Sequence, residues 1–63
     1  MKLLQQAQAL LADEITIEAI RTLAELQNKA AGHEHDYIAD LWEGVYAAAD
    51  DEVLSQASDE GLL

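Results

Sequence analysis

The apolar residues in the first part of the chain follow helical spacing but change phase once. At about 100° per residue, one compact apolar face is formed by Leu3, Leu4, Ala7, Leu10 and Leu11. This pattern predicts an amphipathic helix over residues 2 to 12. A second apolar set follows and consists of Ile15, Ala19, Ile20, Leu23 and Leu26. If the helix continued, this set would lie nearly half a turn away, and one straight helix would not bury both faces against one neighbour.

The phase change falls between Asp13 and Thr16, where we predict a break or a kink. Either of these side chains is a suitable N-cap for the next helix, because its oxygen accepts a hydrogen bond from the first turn. The β-branched residues at 15 to 17 also weaken a continuous helix at this point. The second helix is expected to run from about residue 16 to 31. It ends before Gly32, which favours the left-handed conformation after a helix, and a cation lies in its last turn.

Residues 35 to 49 carry the clearest helical pattern in the chain. An apolar stripe about 120° wide is formed by Ile38, Leu41, Trp42, Val45, Ala48 and Ala49. Two continuations are compatible with the residues that follow. Asp50 either caps a last short helix, or the third helix continues to about residue 57, because heptad-like spacing extends to Val53. Residues 58 to 63 have no apolar periodicity, so we predict a frayed tail there.

These patterns predict one all-α domain over residues 1 to 57, as a small helical bundle or a kinked helical hairpin. The chain has 63 residues and no cysteine, so disulfides do not contribute to its stability. A chain of this length buries only about 60% of its unfolded surface. Because the two phase-shifted apolar faces exceed what one copy is expected to bury, we predict a homodimer. The predicted core or dimer-interface residues are Leu4, Leu11, Ile20, Leu23, Ile38, Leu41, Trp42 and Val45.

A kink rather than a break near residue 14 would give a helical hairpin that pairs with a second copy. In length and layout, such a hairpin resembles the Rop family of plasmid RNA-binding dimers. The resemblance concerns architecture and includes no shared sequence motif. The basic helical face that such a protein uses for RNA is absent from this sequence, so we carry no function over from the family.

The sequence contains no candidate membrane segment. No run approaches the roughly 18 apolar residues that a membrane span requires. The N-terminus also lacks the charged, hydrophobic and small-residue pattern of a signal peptide. We therefore expect a cytoplasmic protein that does not contact membranes.

Charge is distributed unevenly along the chain, whose formal net charge is −10. Residues 1 to 32 contain four acidic and three basic residues, whereas residues 33 to 63 contain nine acidic residues and no lysine or arginine. Nucleic acids bind proteins that neutralise their phosphates with cations, so this composition argues against direct nucleic-acid binding. It favours a basic protein as the partner.

The third predicted helix carries the acidic residues of most interest. Asp36, Asp40 and Glu43 share one face opposite the apolar stripe, and Asp50 and Asp51 extend this face if the helix continues. Their spacing along the axis is roughly 5 to 10 Å, similar to that of backbone phosphates. Two interpretations remain open: a recognition surface that imitates nucleic acid for a basic groove, and a solvated face that maintains solubility.

Aromatic residues and one glycine add candidate contact sites on the same helix. Trp42, Tyr37 and Tyr46 are candidate anchors, because aromatic residues are enriched in interface hot spots. We assign Trp42 to the core, whereas Tyr46, at the edge of the stripe, belongs either to the core or to the partner-binding surface. Gly44 lies mid-helix, which suggests a close helix approach or a tolerated weak point.

The sequence offers little chemistry for metal binding or catalysis. His33, Glu34, His35 and Asp36 combine imidazoles with carboxylates, but histidines two residues apart diverge around a helix. We therefore predict no metal and no cofactor. The chain has no cysteine, serines only at 55 and 58, and no glycine-rich phosphate loop, so it lacks an evident activated nucleophile. We expect that the protein is not an enzyme.

Two functional hypotheses follow from these observations. The first is a small acidic regulator or inhibitor, of a type common among phage and plasmid accessory factors, that binds a basic nucleic-acid-handling protein. Its predicted partner-binding residues are Asp36, Asp40, Glu43, Tyr46, Asp50 and Asp51. The alternative is a self-associating helical subunit or adaptor that binds through an apolar surface and uses its charge only for solubility.

Overall fold

The computed structural model describes all 63 residues and contains only α-helices joined by short connections. The helices are α1 (Lys2–Leu10), α2 (Ile17–Lys29), α3 (Gly32–Asp40), α4 (Trp42–Ala48) and α5 (Asp51–Asp59). The all-α fold class is thereby confirmed. Helix α2 packs against α1, α3 and α5 and is the central element of the fold.

The predicted break between the first two helices is present, and Thr16 is the cap. The Thr16 hydroxyl oxygen accepts a hydrogen bond of 3.1 Å from the Ala19 N–H, which satisfies a free donor in the first turn of α2. Helix α1 ends at Leu10, earlier than the predicted residue 12, because Leu11 and Ala12 bond to carbonyls only three residues back. Asp13 lies in the connecting loop and does not cap α2.

The glycine between α2 and α3 adopts the expected conformation, but it lies at the start of α3 and not at the end of α2. Gly32 has a φ of 59°, in the left-handed region that favours glycine. Helix α2 already ends at Lys29, after which Ala30 is extended and buried. Gly32 therefore opens α3 instead of terminating α2, and the third helix begins three residues before the predicted residue 35.

The third predicted helix is divided in two and does not continue to residue 57. At Leu41 the backbone hydrogen bonds join residues three apart instead of four. The Leu41 N–H donates to the Ile38 carbonyl, and the Gly44 N–H donates to the Leu41 carbonyl, both at 3.0 Å. Helix α4 then ends before Ala49, whose ψ of 147° is extended. The separate last helix is therefore the correct alternative. Asp50 occupies the N-cap position of α5, but its side chain makes no capping hydrogen bond.

The C-terminal residues, predicted as a frayed tail from residue 58, form an ordered helix end. The Gly61 N–H donates to the Ser58 carbonyl at 3.0 Å, and the Leu62 N–H donates to the Ala57 carbonyl at 2.9 Å. With Gly61 at a φ of 76°, this pair of bonds is a Schellman motif. Leu62 packs against the core cluster that contains Ala57. The chain is held here because the motif satisfies carbonyls that α5 leaves free.

Four large side chains form the fully buried centre of the molecule: Ile20, Leu23, Ile38 and Val45. All four are among the predicted core residues. The other four predicted residues are partly buried and pack against the same cluster; they are Leu4, Leu11, Leu41 and Trp42. Because α1 and α2 are separate helices, both phase-shifted faces reach this core within one copy. A second copy is therefore not needed to bury these two faces, and homodimerisation stays a prediction.

Glu34 makes a long-range contact that the sequence pattern does not indicate. Its Oε2 atom accepts hydrogen bonds of 3.0 Å from the Leu3 N–H and 3.1 Å from the Leu4 N–H. These donors belong to the first turn of α1, where Met1 provides no side-chain cap. The carboxylate of α3 therefore satisfies two free N–H groups of α1 and complements its dipole.

We expect opposite effects from adding a methyl group at two of the glycines. Gly61→Ala should lower the free energy of unfolding by about 1 kcal/mol, because alanine disfavours the left-handed conformation. Gly44→Ala should raise it by about 0.5 to 1 kcal/mol, because nothing lies within 4 Å of an added Cβ in this helical position. Urea unfolding of both variants tests the pair. Destabilisation by Gly44→Ala would reveal a close contact at Gly44 that one copy does not contain.

Removal of the Glu34 carboxylate should loosen α1. We expect Glu34→Ala to cost about 1 to 2 kcal/mol of folding free energy, and Glu34→Gln to cost less because an amide oxygen is retained as an acceptor. Chemical unfolding followed by circular dichroism measures both. Glu52→Ala is the matched control, since this carboxylate lies in the first turn of α5 and makes no such hydrogen bond. Equal losses at positions 34 and 52 would contradict the capping role.

Candidate functional site

Asp36, Asp40 and Glu43 form a surface that we call the acidic face. All three residues are exposed, whereas Ile38 and Val45 on the same pair of helices are fully buried. None of the three carboxylates forms a salt bridge with lysine or arginine. Asp36 has His35 beside it, whose Nδ1 lies 3.6 Å from the Asp36 Oδ1. The acidic face is therefore open to solvent and carries no fixed compensating cation.

Asp50 and Asp51 do not lengthen the acidic face in the way that a continuous helix would require. The extended Ala49 separates α4 from α5, so these two acids belong to the start of another helix. Both are exposed, and their negative charge complements the N-terminal dipole of α5. They contribute to the negative field of this half of the molecule, but the continuous helix that would place them in register with the acidic face is not formed. Their role in partner binding stays a prediction.

A cleft of about 510 Å³ opens between α2, α4 and the C-terminal residues. Its lining consists of Ala24, Gln27, Asn28, Trp42, Tyr46, Gly61, Leu62 and Leu63. The Trp42 Nε1–H donates to the Gln27 Oε1 at 2.6 Å, which fixes the indole against α2 and satisfies its only donor. Tyr46 remains 54% exposed. The cleft thus combines a fixed tryptophan wall with an accessible tyrosine.

Helical geometry places Tyr46 between the cleft and the acidic face. On α4, Tyr46 lies about 40° around the axis from Trp42 and about 60° from Glu43. Trp42 and Tyr46 both line the cleft, whereas Glu43 is exposed beyond them. The two surfaces are consequently adjacent, and Tyr46 belongs to their common border.

An ion pair fastens the end of α5 to α2, next to the residues that complete the cleft. The Arg21 Nε donates to the Glu60 Oε1 at 2.8 Å, and the second Arg21 nitrogen donates to Oε2 at 2.6 Å. The Gln56 amide donates to the same Oε2 at 3.1 Å. Hydrogen bonding to Arg21 is the main cause that lowers the pKa of Glu60, and the same bond raises the pKa of Arg21. This contact holds residue 60 in place directly before Gly61.

The histidine segment is occupied by structural contacts. His33 stacks on Tyr37 with ring centroids 6.2 Å apart, and the Glu34 carboxylate is engaged by α1. No three side chains of the metal-ligating types are gathered into a potential metal site. The absence of a metal and of enzymatic activity stay predictions.

The cleft is not predicted from the sequence, because part of its wall lies in the residues that are predicted as a frayed tail. One signal was available: Gly61 followed by Leu62 is the pattern of a Schellman motif, in which the apolar residue after the glycine packs back onto the helix. Trp42 and Tyr46 are predicted contact residues. The residues opposite them on α2 are Ala24, Gln27 and Asn28, and nothing in the sequence marks these as part of a binding site.

Comparison with known proteins gives no match: no family model, curated protein or solved structure is significantly similar to this chain. Among the helices, none has the length and apolar character that crossing a membrane requires. The acidic face and the cleft are therefore the features of the molecule that bear on its function.

The Arg21–Glu60 pair should make stability depend on pH in a defined direction. The folded-state pKa of Glu60 lies below its ordinary value of 4.5, so the pair stabilises the fold above that pH and is lost as pH falls through the lowered value. Glu60→Gln should therefore melt below the wild-type protein at pH 7, and the difference should close in acid.

Thermal melts of both proteins across a pH series measure this difference. Asp59→Asn is the matched control, because it removes a neighbouring carboxylate that forms no salt bridge. An equal melting temperature for Glu60→Gln and wild type at pH 7 would show that the exposed ion pair adds nothing to stability. Many surface ion pairs are of this kind.

Proposed function

We propose that this protein is a small acidic regulator or inhibitor that binds a basic protein partner through the acidic face. The observation that carries the proposal is the exposure of Asp36, Asp40 and Glu43 without a salt bridge to any lysine or arginine. Surface helices that require only solubility gain stability by mixing both signs at i,i+4. A face of one sign instead provides a field that steers a basic partner and orients it.

The geometry of the acidic face supports a nucleic-acid-handling protein as the partner. Because α3 and α4 are joined by the single helical residue Leu41, Asp36 and Glu43 are separated by roughly 10 Å along the axis. Grooves that bind nucleic acid present lysine and arginine to a row of phosphates. A row of carboxylates on a helix offers such a groove similar charges. The proposal assigns no catalytic activity to the chain.

The cleft favours a second candidate function, in which the protein is a self-associating subunit. Tyr46 and Leu63 are large apolar residues left exposed at the cleft, and contact with another copy would cover them. We rank this second, because two copies that met here would bring their Glu43 carboxylates and acidic faces together. Like charges facing each other in an interface oppose association.

Neutralising the acidic face should abolish partner binding and leave the fold intact. The variant is Asp36→Asn, Asp40→Asn and Glu43→Gln, and the three substituted side chains are exposed and do not belong to the buried centre. The experiment captures partners from a lysate of the source organism on the tagged wild-type protein, elutes them with increasing salt and identifies them. The partner should be basic, should elute with salt, and should be lost by the variant.

The matched control removes the same number of charges elsewhere. It carries Asp13→Asn, Glu14→Gln and Glu18→Gln, all exposed residues of the α1–α2 loop and the start of α2. This control should retain the partner, and circular dichroism should show that both variants are folded. Full retention of the partner by the acidic-face variant would exclude the proposed surface, and loss in both variants would show that only net charge matters.

A further inference from the structure

We infer that the cleft beside the acidic face is the anchor site for an apolar side chain of a basic peptide segment. The segment belongs to the proposed partner, so this inference rests on the proposed function and adds the chemistry of its recognition. The apolar residue enters the cleft against Trp42 and Tyr46, and neighbouring lysine or arginine residues reach the acidic face. Either feature alone would bind weakly, whereas the two together select a segment that is both apolar and basic.

The lining of the cleft combines hydrophobic residues, among them Trp42 and Leu62, with the polar side chains of Gln27 and Asn28, and an apolar anchor would contact the hydrophobic part. Trp42 is held in place by its hydrogen bond to Gln27, so the ring presents a surface whose one polar hydrogen is already satisfied. Leu62 is fixed by the Schellman motif of α5, which in turn is fastened by Glu60. Interface hot spots are enriched in tryptophan, tyrosine and arginine residues that are fully desolvated in the complex. A volume of about 510 Å³ is within the range of ligand sites and accommodates one or two side chains.

Charge decides between a basic partner and a second copy as the occupant. On α2, Glu25 and Lys29 are the charged residues nearest in sequence to the lining, and their charges offset each other. On α4, Glu43 lies three residues before Tyr46, on the neighbouring part of the helix surface, and it forms no salt bridge. The border of the cleft is therefore negative. A second copy, with a net charge of −10, meets repulsion there, and a basic segment meets attraction.

The spacing on α4 also constrains the segment. Tyr46 in the cleft and Glu43 on the acidic face are three residues apart on α4. On a helix, this spacing puts their Cβ atoms about 5 to 6 Å apart. A matching segment therefore carries its cation within one helical turn of its apolar anchor. Asp40 lies one further turn along and pairs with a second cation.

The test uses three synthetic helical peptides of equal length. The first combines lysines with a single central leucine, the second has serine in place of leucine, and the third has glutamate in place of lysine. Trp42 is the only tryptophan of the chain and lines the cleft, so its fluorescence reports occupancy, and amide chemical shifts from NMR locate the contact. The first peptide should bind, and the other two should bind about tenfold more weakly or not at all.

Two aromatic variants locate the binding site. Tyr46→Ala should weaken the first peptide about tenfold, whereas Tyr37→Ala should leave its affinity unchanged. The control is closely matched, because Tyr37, the other exposed tyrosine among the candidate anchors, is 48% exposed, stacks on His33 and does not line the cleft. Circular dichroism checks that both variants retain their helices. An equal effect of the two substitutions would overturn the assignment of the cleft.

The outcomes separate this inference from the proposed function. If the leucine and serine peptides bind equally and only the acidic-face variant loses them, the cleft is not an anchor, but the acidic face still recognises basic partners. If no peptide binds, the inference fails, and partner capture by wild type and acidic-face variant still decides the proposed function. If sedimentation shows a dimer that Tyr46→Ala dissociates, the occupant is a second copy and the inference is wrong.

Discussion

The fold depends on the burial of four side chains, Ile20, Leu23, Ile38 and Val45, in one small cluster. Helices of 7 to 13 residues are unstable alone in water, so each must gain its stability from packing. Full burial of one such side chain is worth about 1.5 to 3 kcal/mol. Since α2 contributes two of the four and contacts three other helices, it organises the rest, and both candidate surfaces are held in position by this one element.

Apolar periodicity predicts this cluster well and predicts the helix ends poorly, for one physical reason. A side chain at the centre of an apolar stripe is buried whatever the exact length of its helix, so Ile20 and Val45 are identified correctly. A helix end depends on local hydrogen bonds and on distant partners. The turn at Leu41, the extended Ala49 and the capping of α1 by Glu34 involve interactions that a helical wheel does not contain. The Arg21–Glu60 contact joins residues 39 positions apart and leaves no trace in local spacing.

The same distinction applies to the candidate site: the part that depends on helical periodicity is predicted, and the part that depends on distant contacts is not. The sequence places Asp36, Asp40 and Glu43 on one face because they lie opposite an apolar stripe. That relation is kept at Leu41, since this residue is itself in the helical conformation. The extension to Asp50 required an unbroken helix and failed where the backbone becomes extended. The cleft could not be predicted from α4 alone, because its second wall is built from α2 and its third from the ordered end of α5.

The distribution of cations connects stability with recognition. A net charge of −10 makes the compact state repel itself, and Arg21 is placed to hold the end of α5, far in sequence from the acidic face. Salt therefore has opposite effects on the two properties: screening relieves repulsion within the fold, and it weakens attraction to a basic partner. Placing a cation on α3 or α4 would stabilise the helix by a few tenths of a kcal/mol and would cancel part of the negative field on which the proposed partner binding depends. The exposed carboxylates are thus a stability cost, and in the proposed function binding to a basic partner would offset it.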